Sequence, residues 1–142
     1  MGFFSMPIAR MVGSGGKVIC VDMQEKMIES LEKRARKAGL SNRIETRICT
    51  PDSLRLDDLS ETIDFALAFA VVHEVPDAAA FFSEVYRAMK EKGKFLVVEP
   101  KGHVSETDFK ITVSCAETDH FKVIASPRIG RSRTVLLEKA AP

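Results

Sequence analysis

Four places in this 142-residue chain set chemically able side chains in telling surroundings: Asp22, the run Thr50, Pro51, Asp52 and Ser53, the run Ala70 to Glu74 with His73 inside it, and Glu99 to His103. Asp22 ends an apolar run and a helical pattern starts directly after it. A carboxylate so placed can accept two hydrogen bonds from a ribose diol, and Gly2 lies twenty positions earlier, close to the glycine-to-acid spacing of nucleotide-binding folds. The same side chain would also serve as a helix cap, and the residues alone leave both readings open. His73 offers the side chain best suited to proton transfer near neutral pH, or else lines a pocket. Glu99 and His103 are weaker candidates of the same kind. The bland reading of Pro51, Asp52 and Ser53 is a turn followed by a cap.

What must hold these residues is a set of alternating strands and helices. Lys17 to Asp22 is a short, nearly continuous apolar run after the turn Gly13 to Gly16, as expected of a parallel strand buried on both faces. From Gln24 to Ala38 the period changes: Met27, Ile28, Leu31, Ala35 and Ala38 share one face, and Gly39 closes the end. Arg43 to Cys49 alternates as a strand, and Ile63 to Ala70 is a second solid apolar run. Asp77 is placed to cap a helix carrying Phe81, Phe82, Val85 and Met89 that stops at Gly93, followed by a buried strand from Lys94 to Glu99. Ser105, with Asp108 three residues on, opens a helix to about Thr118 with Phe109, Val113 and Ala116 inward. Two strands close the chain, Phe121 to Ser126 and Arg133 to Lys139. Strands alternating with helices predict a doubly wound, mostly parallel α/β sheet, with an antiparallel edge from the final pair. Ligands of such sheets bind outside the carboxyl ends of the strands, which is where the four candidate places fall.

Composition narrows the chemistry. A hydrophobic share of 45% with 29% charged residues is that of an ordinary globular domain, and the length suits one domain. A net charge of +1 with both signs interleaved gives no field to draw nucleic acid or an anionic membrane. The apolar run from Phe65 to Val72 is too short to span a bilayer, and the start lacks the basic residues of a signal peptide, so a cytoplasmic protein without membrane insertion is expected. Cys20, Cys49 and Cys115 are widely spaced with no histidine at metal-ligand spacing, so no metal site is expected. The basic cluster Lys33 to Lys37 reads as a solvated helix face, and Arg128, Arg131 and Arg133 as ordinary hairpin charges.

Four segments in order, Gly2-Phe-Phe-Ser-Met-Pro-Ile-Ala-Arg-Met-Val-Gly13, Val18-Ile-Cys-Val-Asp-Met23, Phe65-Ala-Leu-Ala-Phe-Ala-Val-Val-His-Glu-Val-Pro-Asp77 and Gly93-Lys-Phe-Leu-Val-Val-Glu-Pro100, resemble successive motifs of class I S-adenosylmethionine (SAM)-dependent methyltransferases. The nearest group is that of the ubiquinone and menaquinone C-methyltransferases. The resemblance implies a Rossmann-like fold, SAM as cofactor and methyl transfer to a small-molecule acceptor. It makes Asp22 the ribose ligand, Met23 the side chain against the adenine, and Gly2 the last glycine of the SAM loop, with Phe3, Phe4 and Ser5 opening the next helix. Thr50, Pro51, Asp52 and Ser53 would lie by the adenine, Ala70 would line the methionine portion, and His73 and Glu74 would face the acceptor.

Two departures qualify this. The family places a strand and a glycine-rich loop before the position of Gly2, so residues 1–142 are expected to be a single SAM-binding domain truncated at its N-terminus, with the first strand missing. The flanking strands would then pair directly, borrow a strand, or leave edges that invite a homodimer. Pro51, in turn, has no N–H to offer an adenine ring. Two other accounts remain: a non-catalytic partner that keeps the fold, and an NAD-dependent oxidoreductase, weakened by the absence of a Tyr-x-x-x-Lys pair.

Overall fold

A computed structural model describes residues 4–142, which gather into two compact units divided after Arg55. In the first unit, helix α1 (Ser5–Met11) precedes strand β1 (Val18–Asp22), helix α2 (Glu25–Lys37) and strand β2 (Ile44–Ile48). Pro7 falls in the first turn of α1, where its missing N–H has no helical partner to lose. β1 and β2 pair in parallel, in register from Val18 opposite Ile44 to Asp22 opposite Ile48, so α2 is the crossover that parallel pairing requires. Its end is a Schellman turn: Gly39, at φ +70°, donates to the Arg36 carbonyl, and Leu40 donates to that of Ala35.

The apolar stripe of α2 buries Ile28, Leu31 and Ala35, and the last two join Met6, Ala9, Cys20 and Leu40 in one core. Lys33, Arg34, Arg36 and Lys37 stay exposed, as the charge pattern predicts. The Cys20 thiol lies 3.3 Å from Ser5 Oγ, and burial pushes its pKa up, with the Ser5 contact opposing.

The second unit contains β3 (Ile63–Phe69), α3 (Ala78–Ala88), β4 (Met89–Pro100), α4 (Glu106–Thr118), β5 (Phe121–Ala125) and β6 (Ser132–Lys139). Its sheet runs β3-β4-β6-β5; β3 and β4 are parallel, and β6 alone is reversed. The expected antiparallel pair is present, but the last strand inserts between β4 and β5, which leaves β5 at the edge. Both predicted caps form: Asp77 Oδ1 accepts from Ala80 N at 3.1 Å, and Ser105 Oγ accepts from Asp108 N at 3.0 Å.

One boundary moves. The helix expected to reach Gly93 ends at Ala88, and β4 begins at Met89 rather than Lys94. Glu61 and Thr62 donate to the carbonyls of Arg87 and Ala88 and draw the helix end onto β3, so Met89 pairs with Ile63. The register then slips through a bulge containing Lys92 at φ +65°. A Cβ on Gly93 would lie 2.8 Å from the Lys90 carbonyl oxygen, so that close passage needs glycine.

Burial also departs from expectation along β3. Its apolar run reads as a strand covered on both faces, yet Phe65 is 52% exposed and Phe69 38%. Among the described residues β1 and β3 each have one strand neighbour. Elsewhere the unit is closed by Phe82, Phe95 and Phe121, whose ring centroids lie 5.7–6.2 Å apart.

Lys139 locks this core. It is buried, donates to the carbonyls of Tyr86 (2.8 Å) and Met89 (2.7 Å) at the end of α3, and lies 4.3 Å from the centre of the Tyr86 ring. Tyr86 in turn donates to the Ala140 carbonyl at 2.6 Å. Replacing Lys139 by Met keeps the volume but removes both charge-assisted hydrogen bonds, leaving the Tyr86 carbonyl with the Met89 N–H alone, and should cost about 2 kcal/mol. Tyr86 is the one tyrosine and there is no tryptophan, so tyrosine fluorescence followed through urea unfolding reads this locus directly. A thiol reagent on the native chain should modify Cys49 and Cys115 first, with Cys20 reacting only on unfolding.

Candidate functional site

The structure gathers the candidate residues at strand carboxyl ends, in two groups, one per unit. In the first unit, adjacent parallel strands carry Asp22 and the Thr50–Ser53 turn to the same end of the sheet, where Cys49 N donates to the Asp22 carbonyl at 3.0 Å. Asp22 Oδ1 accepts from Gln24 N at 2.8 Å, which steers the chain into α2. This is a turn ahead of Gln24, which holds the N-cap position of α2 without a side-chain bond, so the capping role weighed from sequence is not the one observed; the bond occupies one of two carboxylate oxygens, and a carboxylate has about four acceptor positions. Met23, the next residue, is 52% exposed and presents an apolar side chain beside it.

Thr50 and Ser53 exchange backbone hydrogen bonds of 3.1 and 3.3 Å across Pro51 and Asp52. Pro51 therefore sits where the turn asks no donor of it. Ser53 Oγ accepts from Arg55 N at 3.0 Å, so this serine organises the loop rather than capping a helix. Ser53 N is already given to Thr50, while Asp52 is exposed. Gly2 lies outside the described residues.

In the second unit, Ala70 directly follows β3 at φ +58°, a left-handed conformation unfavourable for a residue with a Cβ, and donates to the Val98 carbonyl at 2.7 Å. The chain then makes a short 3-10 turn, Val72–Glu74, over the end of β4. There Glu99 is 1% exposed. Its Oε1 accepts from Val72 N at 3.1 Å; its Oε2 accepts from His73 N at 3.2 Å and lies 2.6 Å from His73 Nδ1. The His73 ring is stacked on His103 at 5.9 Å with 12° between planes, and its Nε2 is 3.7 Å from Glu74 Oε1. Its side chain is 25% exposed.

Glu99 is the residue that sequence reasoning undervalued. The signal was the same as for Asp22, an acid closing a buried strand, but the partner that gives it meaning is 26 residues away on a different strand end. Arg133 proves structural: its Nε donates to the Val104 carbonyl at 2.7 Å and ties β6 to the loop before α4. No group of three or more histidine, cysteine or acidic residues able to hold a metal occurs among the described residues. Nor is any described helix long and apolar enough to cross a membrane.

The chain is 29% identical over 98 residues to a demethylmenaquinone methyltransferase of Lactobacillus johnsonii, an alignment covering 69% of this chain and 39% of that protein. It is 28% identical over 127 residues to an uncharacterized 37.1 kDa protein in a Streptomyces fradiae transposon, covering 87% and 35%. The chain thus spans under two fifths of the length of these curated relatives. Among solved structures, a SAM-dependent methyltransferase from Aquifex aeolicus superposes with a TM-score of 0.83 at 21% identity, covering 98% of this chain and 77% of that one. The geranyl diphosphate C-methyltransferase of Streptomyces coelicolor, solved with S-adenosyl-L-homocysteine, gives 0.74 at 12% identity, covering 95% and 69%. These likenesses confirm the Rossmann-like α/β fold expected from the strand and helix pattern. A family model described as a methyltransferase domain matches residues 1–138, nearly the whole chain, and on that match the chain belongs to the methyltransferase-domain family.

Proposed function

We propose that residues 1–142 act as one SAM-binding domain of a methyltransferase that moves a methyl group from SAM to a small-molecule acceptor. The observation that carries this reading is Asp22, a carboxylate at the carboxyl end of a parallel strand with one oxygen spent on the Gln24 N–H and acceptor capacity left for a sugar diol. The residues around it fit an adenosyl group: Met23 offers exposed apolar surface beside Asp22, and Thr50, Pro51, Asp52 and Ser53 form a closed turn on the neighbouring strand end. Within that turn Asp52, whose backbone N–H the Thr50–Ser53 exchange does not use, is the better candidate for an adenine contact than Ser53. Gly2 and Ala70 keep their assigned places beside the cofactor on the resemblance alone.

SAM, when bound, supplies a methyl carbon on a positively charged sulfur that leaves without acid assistance. The protein's share is then to hold the two reactants in line and to manage the acceptor's proton. Asp22 and Met23 serve the first task, and His73 is the candidate for the second. The names of the relatives support a small acceptor: one acts on demethylmenaquinone by its name, and another was solved with geranyl diphosphate. The even charge balance supports the absence of a nucleic-acid partner, the cytoplasmic setting rests on the short apolar runs and the start read from the sequence, and the single strand neighbours of β1 and β3 support association into a homodimer.

Calorimetry separates this reading from a nicotinamide-dependent enzyme and from a non-catalytic partner. S-adenosylhomocysteine should bind and NAD should not. Asp22→Asn keeps an oxygen for Gln24 N–H but gives up the charged acceptor, and should weaken S-adenosylhomocysteine about 10- to 100-fold with the circular dichroism unchanged. Equal affinity in the variant would place the sugar elsewhere.

A further inference from the structure

The buried Glu99 carboxylate is more elaborate than its structural duty requires. Binding the N–H groups of Val72 and His73 would be enough to fix the 3-10 turn over the end of β4. The imidazole is an addition. Backbone N–H groups can only donate, so both carboxylate oxygens are acceptors, and the ring nitrogen 2.6 Å from Oε2 completes the set as the donor. Fixing the proton on Nδ1 leaves Nε2 with a lone pair. His73 is gripped twice by one oxygen, through its backbone and through its ring, and the nearly parallel His103 ring stacks against it.

We propose that Glu99 and His73 form a proton-accepting pair: His73 Nε2 takes the hydrogen lost by the acceptor's attacking atom, and Glu99 is the positioning residue that sets the tautomer. The proposal rests on the methyl-transfer reading above and deepens it by naming the acceptor class. Such a pair suits a phenol, an enol or a carbon acid, whose attacking atom must shed a proton, and is idle for a tertiary amine or a thioether. In the step it serves, the acceptor's O–H or C–H bond breaks and an electron pair on the attacking atom forms the bond to the methyl carbon. The pair of the broken S–CH3 bond stays on sulfur, and the proton moves to Nε2 and later to water. The resulting imidazolium faces Glu99 from β4 and Glu74, 3.7 Å from Nε2, from the turn itself; the other titratable group against it is His103, from the loop after β4. Two carboxylates thus stabilise the charge as it forms.

The test needs neither a known acceptor nor turnover. With histidines labelled by nitrogen-15 in the full chain, which has three, NMR should show neutral His73 protonated on Nδ1 and bare on Nε2. The opposite tautomer overturns the proposal. In a second measurement, 4-nitrophenol is titrated with the protein in the presence of S-adenosylhomocysteine, at a pH where the free probe is protonated. The phenolate absorbance band should appear with the wild type, vanish with His73→Asn, and weaken with Glu99→Gln as the Nδ1–H tautomer is lost. No band with the wild type, or an equal band with His73→Asn, sinks the idea. S-adenosylhomocysteine affinity is measured on the same samples and should not change between them. Its absence would indict the cofactor reading, whereas a missing band with that ligand bound indicts the pair alone. Should Glu99→Gln not fold, the wild-type tautomer and His73→Asn still decide.

Discussion

Parallel pairing of neighbouring strands is the constraint from which the rest follows. Two strands that run the same way cannot be joined by a tight turn, so each pair needs a crossover, and the crossover returns the chain to the same starting end. β1 with β2, and β3 with β4, obey this through α2 and α3. In each unit the strand carboxyl ends therefore lie side by side, and residues distant in sequence become neighbours there: Asp22 with the turn after β2, His73 with Glu99. The chemistry collects at those ends because backbone topology delivers it there.

The two groups differ in physical character. Around Asp22 the chain is half-buried to exposed, and the carboxylate spends one oxygen on the Gln24 N–H. Around Glu99 the carboxylate is sealed, and its influence reaches solvent only through the imidazole. A charge-assisted hydrogen bond inside a poorly solvated site is stronger than the same bond in water, so the sealed geometry makes the ring orientation stiff. The first group leaves acceptor positions unspent, and the second fixes the orientation of an imidazole.

Much of this was legible beforehand. The strand before Asp22, the amphipathic α2 with Gly39 behind it, and the caps at Asp77 and Ser105 follow from local rules, and local rules survive folding where nothing tertiary competes. The end of α3 was misread because its last carbonyls are taken by Glu61 and Thr62, a contact that no helical periodicity can reveal. The exposure of Phe65 and Phe69 was hidden for a related reason: residue types report how a strand is suited to be covered, not what covers it. At the site, His73 and Asp22 were visible as types at strand ends. The Glu99 partnership was not, because it depends on the register between β3 and β4 and on the left-handed turn at Ala70.

The placement of β6 has a consequence for biosynthesis. Although last in order, it lies between β4 and β5 and carries the lysine that closes the end of α3. While residues 132–139 are still inside the ribosome, β5 has no strand beside it and the carbonyls of Tyr86 and Met89 lack the Lys139 ammonium. The sheet of the second unit therefore cannot close until this strand emerges, and β4 and β5 have nothing to join them before then.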